Sequence, residues 1–256
     1  MDSAIRQIIS IGGGYVVDSP SESKTAIHEY LLNLVPRSKD IDFKPKICCL
    51  DTSDGVCYSF KPDEFKKHFE EAGAIVSFIK IGMRIDIEAI TSELLNCHII
   101  YTEGGNSISI MAIWKTWGLD LILRKAYAKG IILAGNNFGG SCWFEHFVTA
   151  SRKDLSIIDG LGILPGTCCN HYNSPLRQDY CLNEVKHGLI RNGYGISQYT
   201  AVHFINEKFE RGLSWKTLKT PNPNTSTSLY KFGDGEIKPI TCELIECPIV
   251  DSCNIV

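Results

Sequence analysis

Short apolar runs and longer amphipathic stretches take turns along the first half of the chain. "QIISIGGG" is an apolar run ending in Gly12, Gly13 and Gly14, as a first strand entering a turn would be. "SESKTAIHEYLLNLV" has helical spacing at Ile27, Tyr30, Leu31 and Leu34, with an N-cap candidate in Ser21 or Ser23. "PKICCLDTS" is a continuous apolar run, the pattern of a strand buried on both faces. "PDEFKKHFEEAG" predicts a helix, with Pro62 near its start and Gly73 at its end. "AIVSFIKI" predicts the next strand, and "DIEAITSELLN" a helix with apolar positions at Ile87, Ile90, Leu94 and Leu95. "HIIYTEGG" is a strand ending in glycines, helical stretches fill much of 107–129, and "GIILAGN" is a further strand.

This alternation predicts an α/β fold: a mostly parallel sheet with helices on both faces. Ligands of such sheets bind at the carboxyl ends of the strands. Three glycine-bearing ends, Gly12–Gly14, Gly104–Gly105 and Gly135–Gly139, are expected on that one rim. The second half is less regular. "SPLRQDYCLNEVKHGLIR" reads as a helix and "GYGISQYTAVHFI" alternates as a strand does. "TPNPNTSTS" is a loop of turn residues, and "LYKFGDGEIKPI" is a β-hairpin around Asp234 and Gly235. With no repeat, linker or low-complexity tract, residues 1–256 are expected to form one domain.

The chain has 44% apolar and 21% charged residues, which is ordinary for a soluble globular protein. A net charge of −3 and the scattered Lys and Arg argue against nucleic-acid and anionic-membrane partners. No signal peptide and no run long enough to span a membrane are read, so a cytoplasmic location is expected. The 11 Cys form an odd set with no C-x-x-C, which points to free thiols in a reducing compartment. Cys168, Cys169 and His171 are poorly spaced for a structural zinc, so no metal is expected. No cofactor is expected either. The Gly12–Gly14 turn lacks G-x-G-x-x-G, since Val17 stands where the third Gly would be, and no G-K-[ST] follows.

One strand-turn stretch carries candidate chemistry. Gly135, Asn136, Asn137, Phe138 and Gly139 fill the five places of the nucleophile elbow G-x-S-x-G, with Asn in place of Ser. An elbow forces its central residue toward positive φ, which Asn tolerates, so the turn survives while the nucleophile does not. Taken alone, the same residues also suit an ordinary βα turn.

Three stretches together, "YTEGGNS" at 101–107, "AGNNFGGSCWFE" at 134–145 and "DGLGILPGTCCNHYN" at 159–173, resemble the dipeptidase E group of serine peptidases, whose other branch is cyanophycinase. The resemblance covers roughly residues 5–210. It implies a class I glutamine-amidotransferase-like architecture with an irregular C-terminal hairpin region. It also implies peptide-bond hydrolysis through an acyl-serine, with N-terminal Asp preferred in the aspartyl dipeptidase branch. By the same resemblance Asn137 falls on the nucleophile and His171 on the general base. Gly105 and Phe138 fall on the oxyanion donors, and Gly104, Asn106 and Glu145 are candidates for ligand binding. The departures are as informative. Phe138 replaces a usual Ala, "TAS" at 149–151 lacks the acid of a T-D-S segment, and Ser197 and Gln198 stand where an acid often precedes the last strand.

Two functions follow from the resemblance. One is a family hydrolase impaired at its nucleophile; the other is a binding or regulatory protein that keeps the pocket. A Cys-dependent amidotransferase-like enzyme fits less well, because no Cys occupies the elbow. The expected partner is a small peptide or amino-acid-like ligand, with a homodimer left open. Ser141, one turn beyond the elbow, is expected to bond back to its helix, and Cys142 to be a buried apolar side chain. His146, on that same helix, and His203 are expected to be structural. Glu145 either points into the site or caps a neighbour. The cysteine reading is directly testable. In unreduced protein from cells whose thiols have been trapped, most of the 11 Cys should titrate as thiols after denaturation, and four or more disulfides would overturn the cytoplasmic assignment.

Overall fold

The computed structural model describes residues 4–14, 21–36, 40–51, 61–81, 85–215 and 229–245. In chain order the first half runs β1 (Gln7–Ile11), α1 (Ser21–Asn33), β2 (Lys46–Asp51), α2 (Pro62–Glu71), β3 (Ile75–Lys80), α3 (Ile87–Leu95), β4 (Ile99–Thr102), α4 (Ser107–Thr116), α5 (Leu119–Ala128) and β5 (Ile132–Asn136). The second half runs α6 (Phe138–Ser141), β6 (Phe144–Thr149), β7 (Ser156–Asp159), β8 (Leu164–Asn170), α7 (Pro175–Lys186), β9 (Asn192–Ile196), β10 (Thr200–Ile205), β11 (Lys208–Ser214), β12 (Leu229–Gly233), β13 (Glu236–Ile240) and β14 (Cys242–Leu244). The side chains of the N-cap candidates Ser21 and Ser23, Val17, and the "TPNPNTSTS" loop lie outside the described residues.

The first half folds as its pattern predicts. Strands β1, β5, β4, β2 and β3 lie side by side and parallel. Successive residues of each strand enter opposite layers, as a period of two requires. Ile9, Ile47, Tyr101 and Ala134 pack under α1 and α2 with Ile27, Leu31, Phe65 and Phe69. Ile8, Cys48, Ile100 and Leu133 pack on the other face with Leu94 of α3, Trp114 of α4 and Leu123 of α5. Beyond β1 the sheet is extended by β10 and β11, which run antiparallel, and by β14.

The second half differs from its sequence reading in three ways. First, six of its strands form a separate mixed sheet, ordered β13-β12-β9-β8-β6-β7, in which the expected hairpin, β12–β13, forms the edge, while β10, β11 and β14 join the first sheet. Second, "GYGISQYTAVHFI" is two strands, not one. Tyr199 takes φ 58 and turns the chain, so β9 enters the second sheet and β10 the first. An alternating pattern cannot reveal that break, because both strands bury the same kind of face. Third, the helix expected after Gly139 stops after one turn. Trp143, Phe144 and Phe147 are wholly buried, and Phe144 packs against Phe204 of β10 at 5.7 Å between centroids. Glu145 and His146 therefore sit on a strand. The two sheets share one hydrophobic cluster that joins Ile8 and Leu133 to Trp143, Leu164, Ile196 and Leu229. Among the described residues all eight cysteines are free, and no helix is long and apolar enough to cross a membrane.

The βα turn after β5 is among the tightest places in the described fold. A Cβ on Gly139 would fall into the Thr102 carbonyl, and one on Gly135 would stand 2.6 Å from the Gly139 carbonyl carbon. The backbones of β4, β5 and α6 therefore touch directly. A Cβ on Gly233, in the edge hairpin, would meet nothing within 4 Å. Gly139→Ala should lower the melting temperature by roughly 6–12 °C, the size expected for a loss of about 3 kcal/mol in a chain of this length. Gly233→Ala should change it by about 1 °C, and calorimetry of the two variants beside wild type checks the contrast.

Candidate active site

Three strand ends converge on the turn between β5 and α6. Asn137 has φ 56 and ψ −118, the positive-φ geometry of an elbow. Its N–H donates to Ile11 O (3.2 Å), and its carbonyl accepts from Gly140 N (3.0 Å), Ser141 N (3.2 Å) and the Asn170 amide. With the backbone held on both sides, the carboxamide is the free end. A Cβ on Gly104 would lie 3.1 Å from Asn137 Cβ and 3.2 Å from its Nδ2. A Cβ on Gly13 would lie 2.6 Å from His171 Cε1, 2.7 Å from Nδ1 and 3.2 Å from Asn137 Oδ1. The Asn137 and His171 side chains thus face one another over a glycine, and the glycines let them approach.

His171 follows β8 on a turn of its own, with φ 53 and its N–H donating to Gly12 O (2.9 Å). Burial and the nearby Arg177 charge hold its pKa down at about 4, so the ring is neutral at neutral pH. Its Nδ1 meets the amide nitrogen of Gln198 at 3.3 Å. An amide N–H donating to Nδ1 leaves the ring proton on Nε2. That is the opposite tautomer from a general base, whose Nδ1–H is held by a carboxylate.

A cleft of about 530 Å³ opens over these groups. Gly104, Gly105 and Asn106 line one side, Asn137 and Phe138 are in its wall, and His171 and Arg177 are also exposed to it. Among the described residues the N–H groups of Gly105 and Phe138 bond to nothing in the chain, whereas Gly104 N–H is taken by Glu103 Oε2 (3.3 Å). The Asn106 side chain is occupied in capping α4, where it accepts from Ser109 N at 3.1 Å. Ser107, Thr149 and Ser151 form a closed ring of hydroxyls, with oxygens 2.5, 2.9 and 3.0 Å apart, beside the cleft mouth. Ser107 N and Ser151 N both donate into the ring at 3.0 Å. Closed in this way, the ring uses its three hydroxyl protons internally, and with the two N–H groups it leaves one lone pair, on Ser107 Oγ, free to accept from a ligand.

Some sequence candidates lie elsewhere. Glu145 is exposed on β6 and outside the cleft, and its carboxylate accepts from Gly166 N at 2.8 Å. It ties β6 to the neighbouring strand β8. Ser141 Oγ bonds back to Phe138 O (3.2 Å) and Asn137 O (3.3 Å), and Cys142 is fully buried. His203 is buried between Tyr30 Oη (2.8 Å) and Gln7 Oε1 (3.0 Å). Cys168 and Cys169 enter different hydrophobic clusters on the two faces of β8, so they cannot join His171 around one ion.

Glu103, Arg177 and Ser107 were not singled out from the sequence, and Gln198 and residues 149–151 only as places where an acid is missing. Glu103 carried a usable signal: it is a carboxylate just after the apolar run Ile99–Tyr101. It is 5% exposed, and burial pushes its pKa up to about 8. Its Oε2 accepts from Asn136 Nδ2 at 3.4 Å, while its Oε1 and Asn136 Oδ1 have no partner. Burial of the carboxyl with Oε1 unpaired favours the neutral acid.

The chain from residue 8 to 212 matches the model of peptidase family S51. The uncharacterized peptidase YgaJ of Bacillus subtilis (strain 168) is 30% identical over 211 residues, which cover 82% of this chain and 88% of that one. Two crystal structures share the fold. A peptidase from an acI-B1 Actinobacterium superposes with a TM-score of 0.64 at 16% identity, covering 93% of this chain and 95% of that chain. A putative peptidase E protein from Listeria monocytogenes EGD-e superposes with a TM-score of 0.60 at 18% identity, covering 82% and 99%.

The Glu103 proton has a measurable consequence. The unfolded carboxyl titrates near 4.5 and the folded one near 8, so between those values only the folded chain holds the proton. Stability contributed by Glu103 is therefore complete below about 4.5 and falls as the pH rises to about 8. Between pH 5.5 and 8.5 the melting temperature of wild type should drop by about 5 °C or more beyond the drop seen in Glu103→Gln. Equal pH dependence in both proteins would show that Glu103 is ionised throughout.

Proposed function

The chain belongs to peptidase family S51, and we propose that it is a member whose peptide-bond hydrolysis is impaired and whose cleft serves as a binding site for small peptides. The observation that carries this reading is Asn137 at the elbow, with φ 56 and its carboxamide set against His171 across Gly13. Acyl transfer needs an oxygen or sulfur nucleophile, and the lone pair of a carboxamide nitrogen is delocalised into its carbonyl. The setting of His171 supports the same conclusion. Gln198 in place of an acid leaves the ring as an Nε2–H donor.

What remains is a set of donors. The free N–H groups of Gly105 and Phe138 suit a peptide carbonyl, as an oxyanion hole would. Arg177 suits an acidic group, which favours a ligand with an N-terminal Asp or a similar amino acid. We place the protein in the cytoplasm, in keeping with its free thiols.

Rebuilding the catalytic groups tests the reading. Phe138 is best left in place. Its ring is wedged between Trp114 (5.3 Å) and Phe147 (5.9 Å), so truncating it would open a core cavity. Wild type should give no turnover of a panel of Asp-X dipeptides, and no labelling by a fluorophosphonate. Asn137→Ser should give weak hydrolysis. Adding Gln198→Glu, which sets a carboxylate against His171 Nδ1, should raise the rate by about 100-fold or more, since losing that partner costs on the order of 10⁴ in a serine protease. Wild-type turnover equal to that of an active relative, or stoichiometric labelling at Ser141, would sink the proposal. A folded double variant that stays inert would remove the assignment of Asn137 and His171 to these roles.

A further inference from the structure

Strands β6 and β7 pair antiparallel with Thr149 opposite Ser156, which leaves residues 150–155 as their connecting loop. The near part of this loop, Thr149 to Ser151, lines the cleft over Asn137, and its far part lines a second cavity of about 420 Å³. Ala150 belongs to both walls. Across the gap stands α7, which is divided in the same way. Arg177 faces the first cavity, while Leu176 and Tyr180, one turn apart on a single helix face, line the second. The two cavities are therefore stretches of one groove between the β6–β7 loop and α7.

We infer that this groove binds peptides longer than two residues, and that the second cavity receives an apolar side chain at the third position. The inference rests on the peptide-binding reading of the cleft. A volume of about 530 Å³ already holds a dipeptide, so a further 420 Å³ in line with it is room for more chain. Each added residue advances an extended chain by about 3.5 Å, and Ala150, which lines both cavities, marks where such a chain would pass from the first to the second. The chemistry of the second cavity selects the side chain. Arg152 and Lys153 are balanced by Asp154 and Asp179, with no ion pair among them, so the charges exert little net pull. The directional feature is the apolar set of Leu155, Leu176 and Tyr180. Leu176 is 69% exposed, a large apolar side chain that the fold itself leaves uncovered.

Calorimetric titration of the wild-type chain with Asp-Ala, Asp-Ala-Gly and Asp-Ala-Leu tests the inference. Asp-Ala-Leu should bind about tenfold more tightly than Asp-Ala-Gly, the effect of covering most of one leucine side chain. Leu176→Ser, at an exposed position where folding is safe, should abolish that ratio and leave the affinity for Asp-Ala unchanged. Leu176→Met should preserve the ratio. If Asp-Ala binds but the two tripeptides bind equally, the second cavity is no subsite and the inference fails while the peptide reading stands. A ratio that survives Leu176→Ser overturns the inference as well. If none of the three peptides binds, the peptide reading falls and takes this inference with it.

Discussion

The direct backbone contact between Gly139 and the Thr102 carbonyl sets the geometry of everything around it. No side chain fits between β4 and the start of α6, so the chain must leave β5 through a sharp turn. That turn puts Asn137 at φ 56 and seats its carboxamide between Gly13 and Gly104, with Oδ1 buried and without a partner among the described residues. With ψ at −118 the residue lies outside the left-handed helical region that Asn tolerates, so the turn is strained, and the hydrogen bonds on the Asn137 carbonyl hold it in place. Once the elbow is set, the neighbouring strand ends are set with it. His171 hangs its backbone N–H on Gly12, and Asn170 bonds the elbow carbonyl. The cleft is therefore a by-product of main-chain packing and does not depend on which residue stands at 137.

Burial then decides the charge state of that cleft. A carboxyl shut behind Gly104 keeps its proton to about pH 8, and an imidazole beside Arg177 stays neutral down to about pH 4. Among the residues lining the cleft, Arg177 is the one with a permanent charge. An acid–base pair poised for proton transfer would need the reverse, a carboxylate that stabilises a charged imidazole. The proposed binding role draws on this charge balance. This fits the carboxamide at the elbow, which can form hydrogen bonds but cannot attack.

The parallel part of the main sheet was readable along the chain because each of its strands is a short apolar run followed by a helical stretch, whatever its place across the sheet. Ile8, Ile9, Cys48 and Cys49 report two buried faces, and that suffices to infer a parallel sheet between helical layers. The second sheet was not readable. Strand β9 pairs with β8 and β12, whereas β10, three residues later, pairs with β1 at the far end of the chain. The one-turn α6 misled for a related reason. Trp143 and Phe147 suit a helix stripe as well as a strand buried on one side, and only their distant neighbours decide between the two.

The same division holds at the site. Spacing along the chain determined the elbow glycines, the absence of Ser at 137, the glycine-rich ends that share a rim, and the kinship with a peptidase family, because each is a property of local sequence. Tertiary structure alone decided that Gln198 holds His171, that Glu103 keeps its proton, that Arg177 reaches the cleft, and that Glu145 turns away to bond Gly166. Those four facts depend on desolvation and on contacts between residues far apart in the chain. Both arise only when two sheets close on each other and exclude water, so no local pattern could carry them.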